Sequence, residues 1–513
     1  MGYASKARGT AVEVPAPAQA VAVAPTQADR AWSAQQRAIF DWFKREDDSN
    51  LIVVARAGSG KTSTIIEGIK HAPETDILLA AFNKRIADEL NSRIDNGNAE
   101  AKTLHSVGFM LVREYWPGVR TARNDDRATQ LVKDVCGDIP WTIAKLVSKL
   151  HTKGREINPY AKKGEDLLPL AEQFECDPEP FWYHQGFSLE YICEHAYECM
   201  KAAQAVKPKG GIDFADMIYL PLVNNWAMGC KNLVVVDEAQ DMTVAQLDLA
   251  LKVLAPGGRV CVVGDDRQAI YGFRGADSSS LSRLKKQLNA KELMLTTTYR
   301  CGKSIVEHAQ QLVPDIVAAA SNSAGIIRTI DADKLVDEAV PGDFILSRLN
   351  APLAGYAMQL LREGKRAQIA GRDIGNGLKA LVRKLSKGIT TVDGFIDAVE
   401  AWRSREVSRL LKLKFETRAS LVEDQAETLY HLSSQAKIIP EIEQTIERLF
   451  SDDGVDTRYV LLSSVHKAKG LEASRVFALD WTFRRGRNQE EENIYYVAVT
   501  RARHELVFVE QSR

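Results

Sequence analysis

Two α/β lobes, each built on a parallel sheet and each interrupted by a helical insertion, are predicted by three observations on this 513-residue chain. Short continuous apolar runs recur along it, they fall into two groups, and two long stretches between them carry helical periodicity instead. Continuous apolar strands belong to parallel sheets covered on both faces by helices. Two such sets imply two lobes, and the length has room for two to four domains.

Taken in order, residues 1–29 are rich in Ala, Val and Pro, with too little apolar bulk to build a core, and are expected to be a disordered tail. Glu13 and several prolines argue against a secretory signal, and Lys6 against myristoylation. The first lobe is expected over 30–110 and 206–290, with strands "LIVVA" (51–55), "DILLAAF" (76–82), "NLVVVDE" (232–238) and "RVCVVGD" (259–265). Residues 111–205 read as a helical insertion in that lobe. The second lobe is expected over 291–375 and 456–513, with "GDFILSR" (342–348), "RAQIAG" (366–371), "YVLLSSV" (459–465), "RVFALD" (475–480) and "ELVFVE" (505–510). Its own insertion, 376–455, is short and helical, as in "GFIDAVEAWRSREVSRLLKLKFETR".

The formal charge of −1 does not advertise a nucleic-acid partner, so an anionic polymer must be held by local basic patches. No apolar run approaches the ~20 residues of a membrane-spanning helix, and no membrane partner is expected. The seven cysteines are scattered without a Cys-x-x-Cys pair, which reads as free thiols in a reducing compartment. "CEHAYEC" (193–199) fits no common zinc spacing and reads as helix core.

The chemistry begins in "LIVVARAGSGKTSTI" (51–65), where an apolar strand runs directly into a glycine-rich turn. This is the form of a phosphate-binding loop. Backbone N–H groups of Ala57, Gly58, Ser59, Gly60, Lys61 and Thr62 can surround phosphates, aided by the following helix dipole. Lys61 supplies a point charge to the β/γ oxygens, and the Thr62 hydroxyl can ligate Mg²⁺. Ala55 stands where the usual pattern begins with glycine. "VVVDEAQD" adds an acidic pair at a strand end, with Asp237 to hold Mg²⁺ and Glu238 to orient or deprotonate the attacking water. ATP and Mg²⁺ are therefore the expected ligands, and hydrolysis the expected reaction. "VVGDDRQAIYGFRGA" (262–276) then places Gln268 just past a strand, followed by Tyr271, Phe273 and Arg274. A polar sensor beside aromatics can couple a γ-phosphate to a surface that stacks on bases, at about 1–3 kcal/mol per base.

From about residue 31 to its end, the chain resembles the UvrD/Rep-type superfamily 1 DNA helicases. "WSAQQRAIF" resembles their adenine-reading motif, "AGSGKT" and "VVVDEAQD" their two Walker motifs, and "AAFNKRIADEL", "TLHSVG" and "IDFADMI" further first-lobe motifs. The resemblance implies two RecA-like P-loop NTPase lobes. It implies Gln36 on adenine, Gln268 at the γ-phosphate and Phe273 against a base. From "LTTTYR" it implies Tyr299 stacked on adenine and Arg300 on the γ-phosphate. "SSVHKAKGLEASRVF" implies Glu472 on the ribose, with Ser464, His466 and Lys469 near DNA, and "IYYVAVTRAR" implies Arg501 as the second-lobe arginine finger. Phe82, Asn83, Thr103 and His105 join the expected nucleic-acid contacts.

Three positions depart from the family pattern. Ser63 follows "GKT" where better-known members carry an adenine-stacking arginine, Phe82 sits one place nearer Asn83, and Glu492 and Asn493 replace a pair of arginines. The second insertion is about half the length of that in a large member. Its "WRSREVSRLLKLKFETR" reads equally as a phosphate grip or as a solvated helix face over a small core, and "FRRGR" (483–487) is a second basic candidate. The leading expectation is a monomeric, cytoplasmic motor (on the nucleoid if bacterial or phage) that moves 3′→5′ on single-stranded DNA and opens single-strand/duplex junctions. A protein loading partner stays open. The alternatives are a translocase that strips proteins and unwinds little, and a nucleotide-controlled binding switch.

Overall fold

A computed structural model of the chain describes residues 32–44, 49–122, 126–205, 207–208, 210–226, 229–272, 275–276, 279–413, 415–451 and 456–511. The expected tail therefore lies outside the described residues, as do Phe273 and Arg274.

The first sheet is built from β1 (Leu51–Ala55), β2 (Ile77–Ala81), β3 (Ala99–Thr103), β4 (Lys231–Val236), β5 (Leu254–Gly264) and β6 (Lys291–Leu295) in the order β3-β2-β4-β5-β1-β6. Every pairing is parallel. Apolar side chains cover both of its faces, in one core around Ile39, Val53 and Ile66 and another around Val234, Leu249 and Val262. Such two-sided burial is why the central strands read as unbroken apolar runs. It also puts the ends of β1, β4 and β5 on one rim, where ligands bind in open α/β sheets.

A short parallel pair, β7 (Thr297–Thr298) with β8 (Val317–Ala318), follows the crossing into the second lobe. The second sheet holds β9 (Ile326–Asp331), β10 (Phe344–Ser347), β11 (Ala367–Ala370), β12 (Phe450–Ser451), β13 (Val460–Ser464), β14 (Ala473–Leu479) and β15 (Ala502–Glu510). Their order is β12-β11-β13-β10-β14-β15-β9, again all parallel. All nine strand runs expected from sequence are present. Among those not expected, β3 ("AEAKT") and β9 ("IIRTID") are edge strands whose exposed sides carry polar residues, so neither has the continuous apolar signature.

The first insertion is helical and encloses its own core, from Val112 to Leu220. The helices Leu104–Tyr115 and Phe214–Val223 carry the chain in and out of it. Cys193 and Cys199 are buried in that core, as the helix-core reading required. The second insertion behaves differently. Phe395, Val399 and Trp402 of helix Val392–Lys412, with Ala426 and Leu429 of helix Glu416–Ser433, join one continuous cluster with Ile345 and Leu462 of the second sheet. Asp424, 6% exposed, accepts from the backbone N–H of Asn350 and Ala351 and so caps the second-lobe helix Ala351–Arg362. A buried carboxylate satisfied by orphan helix N–H groups fixes the insertion to the lobe.

The "WRSREVSRLLKLKFETR" stretch is partly spent on internal pairing. Arg409 meets Glu406 and Glu179, and Arg418 meets Glu175, so the two insertions touch through ion pairs. Among the described residues, no helix is long and apolar enough to cross a membrane.

Candidate nucleotide and nucleic-acid site

Beyond β1 the chain turns through Gly58 (φ 72°) and Gly60 (φ 82°) before the helix Lys61–Ile69 begins. Both glycines use left-handed backbone, and Gly58 has a second constraint. A Cβ there would stand 2.5 Å from Thr298 Oγ1 and 2.6 Å from Arg300 Cβ, so only glycine lets the loop approach the second lobe. Ser59 is 2% exposed and its hydroxyl is buried without a partner.

Lys61 Nζ donates to Glu238 Oε2 at 2.8 Å. Burial opposes the Lys61 charge, but Glu238, Asp237 and Asp265 outweigh it and raise its pKa. The two acids at the end of β4 are pushed apart. Burial and the neighbouring Glu238 raise Asp237 to about 6. Burial also works against the Glu238 charge, yet Lys61 and Lys469 hold it down at about 2. Glu238 adopts left-handed backbone (φ 52°, ψ 42°), rare for a side-chain-bearing residue and typical of strained functional positions. Its carboxylate also accepts from Gln240 Nε2. Opposite shifts on adjacent carboxylates fit one group that keeps its charge and another waiting for a cation.

These residues floor a cleft of about 660 Å³ shared by both lobes. Gly58 to Ser63, Asn83, Arg85, Glu89, Arg93, Asp237 and Glu238 line it from the first lobe; Tyr299, Arg300, Lys469, Glu472 and Arg503 line it from the second. Arg300 Nε lies 2.5 Å from Glu472, and Tyr299 is 38% exposed with its N–H donated to Gly58 O. The orphan Ser59 hydroxyl, the loop amides and the cationic Lys61 suit a polyphosphate. Thr62 and Asp237 fit a divalent cation, and would hold Mg²⁺, which supplies charge neutralisation to the phosphates when bound.

Arg501 sits one layer behind the wall. It is 1% exposed and donates only to neutral acceptors: Val497 O, Leu471 O and Thr500 Oγ1. It has no carboxylate partner among the described residues, and burial together with Arg300 lowers its pKa to about 9. A buried unpaired guanidinium is costly and calls for an anion.

Several expected contacts are relocated. Gln268 does not line the cleft: its amide donates to Asp265 Oδ2 at 2.7 Å, because that buried acid needs a partner. Gln36 is 2% exposed, with its amide spent on the Ser33 capping box and on Thr64. Lys469, expected near DNA, lines the cleft half-buried and is paired with Asp241 at 2.6 Å. Asn83 lines the same cleft and caps the helix Lys84–Arg93. Ser464 is 7% exposed at the end of β13. Thr103 caps the helix Leu104–Tyr115, and His105, with a pKa lowered by burial, lies edge-on to the exposed Phe214.

The aromatic residues do assemble. Phe82 and Tyr271 stack at 6.0 Å between centroids, Lys469 lies over the Tyr271 ring, and the Tyr271 hydroxyl donates to His466 O across the lobe boundary. Sequence reasoning missed Asp241, Arg93 and Arg503. Asp241 had a signal, as the third acid in "DEAQD". Arg93, whose guanidinium reaches Ser63 Oγ at 3.1 Å, had none, since 30 residues separate them.

The chain matches the UvrD/REP helicase N-terminal domain over residues 32–289, half of its length, and the UvrD-like helicase C-terminal domain over 459–509. It belongs to the UvrD/REP helicase family. F-box DNA helicase protein 1 of Schizosaccharomyces pombe is 23% identical over 89% of this chain and 55% of its own length. ATP-dependent DNA helicase PcrA of Bacillus subtilis is 25% identical over 52% of this chain and 38% of its own. ATP-dependent DNA helicase Rep of Escherichia coli is 24% identical over 51% and 41%. This family member thus spans between about two fifths and just over half of these relatives. Its second-lobe insertion, fused to the lobe core, falls between the two matched domains.

Proposed function

We propose that this chain is an ATP-driven motor on single-stranded DNA, moving 3′→5′ and separating duplex at junctions. The observation that carries the reading is the two-lobed cleft, in which Lys61, Asp237 and Glu238 face Arg300, with the unpaired Arg501 behind it. A nucleotide there would be contacted from both sides. Its γ-phosphate attracts Arg300 and Arg501 towards Lys61; hydrolysis removes that attraction and releases the lobes. Glu238, held ionised by Lys61, is poised to take the proton of an attacking water. Asp237 and Thr62 are assigned to Mg²⁺, Tyr299 to the adenine face and Glu472 to the ribose once Arg300 turns to phosphate.

The coupling path runs through the segment after β5. Gln268 and Asp265 are hydrogen-bonded at the cleft end, and Tyr271 stands with Phe82 and His466 at the other. Each closure would shift the base-stacking cluster against the second lobe. The relatives named as ATP-dependent DNA helicases support the choice of ATP and DNA. The fused second insertion favours a second reading, a translocase that displaces bound proteins and unwinds little, because among the described residues this insertion shares its core with the lobe and forms no separate body to engage duplex.

Steady-state ATP hydrolysis with and without a short single-stranded DNA, repeated across salt, tests the motor. Strong stimulation that fades with salt is expected. Turnover indifferent to DNA would refute it and leave a nucleotide-controlled switch. A strand-displacement assay with 3′ and 5′ tails then separates polarity and unwinding from translocation alone.

A further inference from the structure

The phosphate loop carries a charged side chain that does not line the cleft and has no part in the mechanism above. Arg56 is 7% exposed, immediately after β1. Its guanidinium meets three carboxylates. Nη1 lies 2.9 Å from Asp265 Oδ1 and 2.6 Å from Asp266 Oδ1, both in the coupling segment. Nε donates to both carboxylate oxygens of Asp315 of the second lobe, at 3.0 Å to Oδ1 and 2.9 Å to Oδ2, and Nη2 lies 2.8 Å from Oδ2. Hydrogen bonds between a rigid guanidinium and a carboxylate are strong and directional, so this contact fixes the loop against the second lobe.

The backbone around Arg56 is stitched to the same boundary. Its N–H donates to Leu295 O, where the chain leaves β6 for the second lobe. The next N–H, of Ala57, donates to the Tyr496 hydroxyl, and Ala57 is packed within the second-lobe core. Asp266 is held from the far side too, its carbonyl accepting from Asn493 Nδ2. The anchor therefore lies beside the crossing between lobes, where a rotation displaces atoms least.

We infer that Arg56 is a positioning residue, a pivot that keeps the phosphate loop and the coupling segment in register with the second lobe as the lobes turn. The inference rests on the motor reading. Without the pivot, ATP can still settle on the first-lobe loop, but the second-lobe arginines meet its phosphate out of alignment. The loss should fall on kcat and on movement per ATP, with little change in KM.

Asp315→Asn is the cleanest perturbation, since the Asp315 side chain is 37% exposed and the buried Asp265 keeps its partner. Arg56→Lys is the second variant, keeping a charge for Asp265 and losing the Nε hydrogen bonds to Asp315. Wild-type DNA-stimulated turnover is measured first; its absence sinks the motor reading itself. Given an active wild type, each variant is expected to lower kcat for DNA-stimulated hydrolysis about tenfold, with KM for ATP within twofold and the melting temperature nearly unchanged. The double variant is expected to be no worse than either single one, because both break one contact. Wild-type kcat in Asp315→Asn, a KM rise that matches the kcat loss, or multiplied losses in the double variant would each overturn the pivot. A merely structural role would move the melting temperature and leave kcat per folded molecule intact.

Discussion

Replacing Arg501 by methionine should leave the nucleotide-free protein about as stable and make the enzyme inactive. The lowering of the Arg501 pKa from 12.5 to about 9 corresponds to about 5 kcal/mol of disfavour for its charged form. The side chain is 1% exposed, so solvent screening returns little of that. Against it stand three hydrogen bonds to neutral acceptors, each contributing about 1.5 kcal/mol or more because the donor is charged. The two sides are about equal, so deleting the charge should change stability by no more than about 2 kcal/mol, as when buried ions give way to apolar residues of similar volume. Turnover should fall by about 10³–10⁵, the range for an arginine finger. Urea denaturation without nucleotide and single-turnover hydrolysis on the same preparation give both numbers. A variant that is less stable by several kcal/mol would mean that Arg501 is structural. A stable variant with undiminished turnover would remove it from the reaction.

Three other predictions follow from the site and the first insertion. Glu238→Gln should keep ATP bound together with DNA and lower turnover by about 10²–10⁴, the contribution of a general base; filter binding with a single-turnover assay reads both, and near-normal turnover would reassign the base. Tyr271→Ala removes the stack on Phe82 and the bond to His466 O, so basal hydrolysis should survive within a few-fold while stimulation by single-stranded DNA is lost; intact stimulation would exclude this cluster from coupling. The buried His151, driven down to about 3 by burial and by Arg155, should make the first insertion acid-labile. Its folded pKa lies below the unfolded 6.5, so the unfolded chain takes up the extra proton. Stability is then full above pH 6.5 and falls by about 1.4 kcal/mol per pH unit below it. Denaturation between pH 6.5 and 5 should show about 2 kcal/mol lost, most of which His151→Gln abolishes.

What could be read from the sequence was what is local in the chain. Strand β1, the glycine turn and Lys61 are consecutive, so one stretch of fifteen residues specifies the loop; Asp237 and Glu238 follow an apolar strand in the same way. The central strands were legible because burial on both faces leaves them no polar positions. The edges β3 and β9 were not, since half their side chains face water and break the run. The second-lobe residues Tyr299, Arg300 and Arg501 carried no chemistry of their own in sequence and entered only through resemblance. The partners that Gln268 and Lys469 take in this structure were not legible: each meets a buried acid, Asp265 and Asp241, and neither pairing is visible along the chain. Arg56 and Asp315, 259 positions apart, leave no local trace at all.

The distribution of apolar and charged contacts indicates which boundary moves. The second insertion is joined to its lobe by Phe395, Trp402 and Leu429 in a single apolar core, so separating them would expose that surface to water. It should travel with the lobe as one body. Between the lobes Ala57 and Ile270 join the second-lobe core, and around them the contacts are polar: Lys469 with Asp241, Asn493 with the carbonyls of Asp266 and Ala269, and Glu490 with the Gly272 N–H. Desolvated pairs of this kind add little net stability, and polar interfaces between domains favour relative motion. The ion pairs between the two insertions, Arg409 with Glu179 and Arg418 with Glu175, are partly exposed. Pairs of that type contribute about 0–1 kcal/mol, which a rotation of the second lobe can break. A boundary that is weak by itself, next to an unpaired Arg501, is one whose closure is decided by the phosphate placed within it.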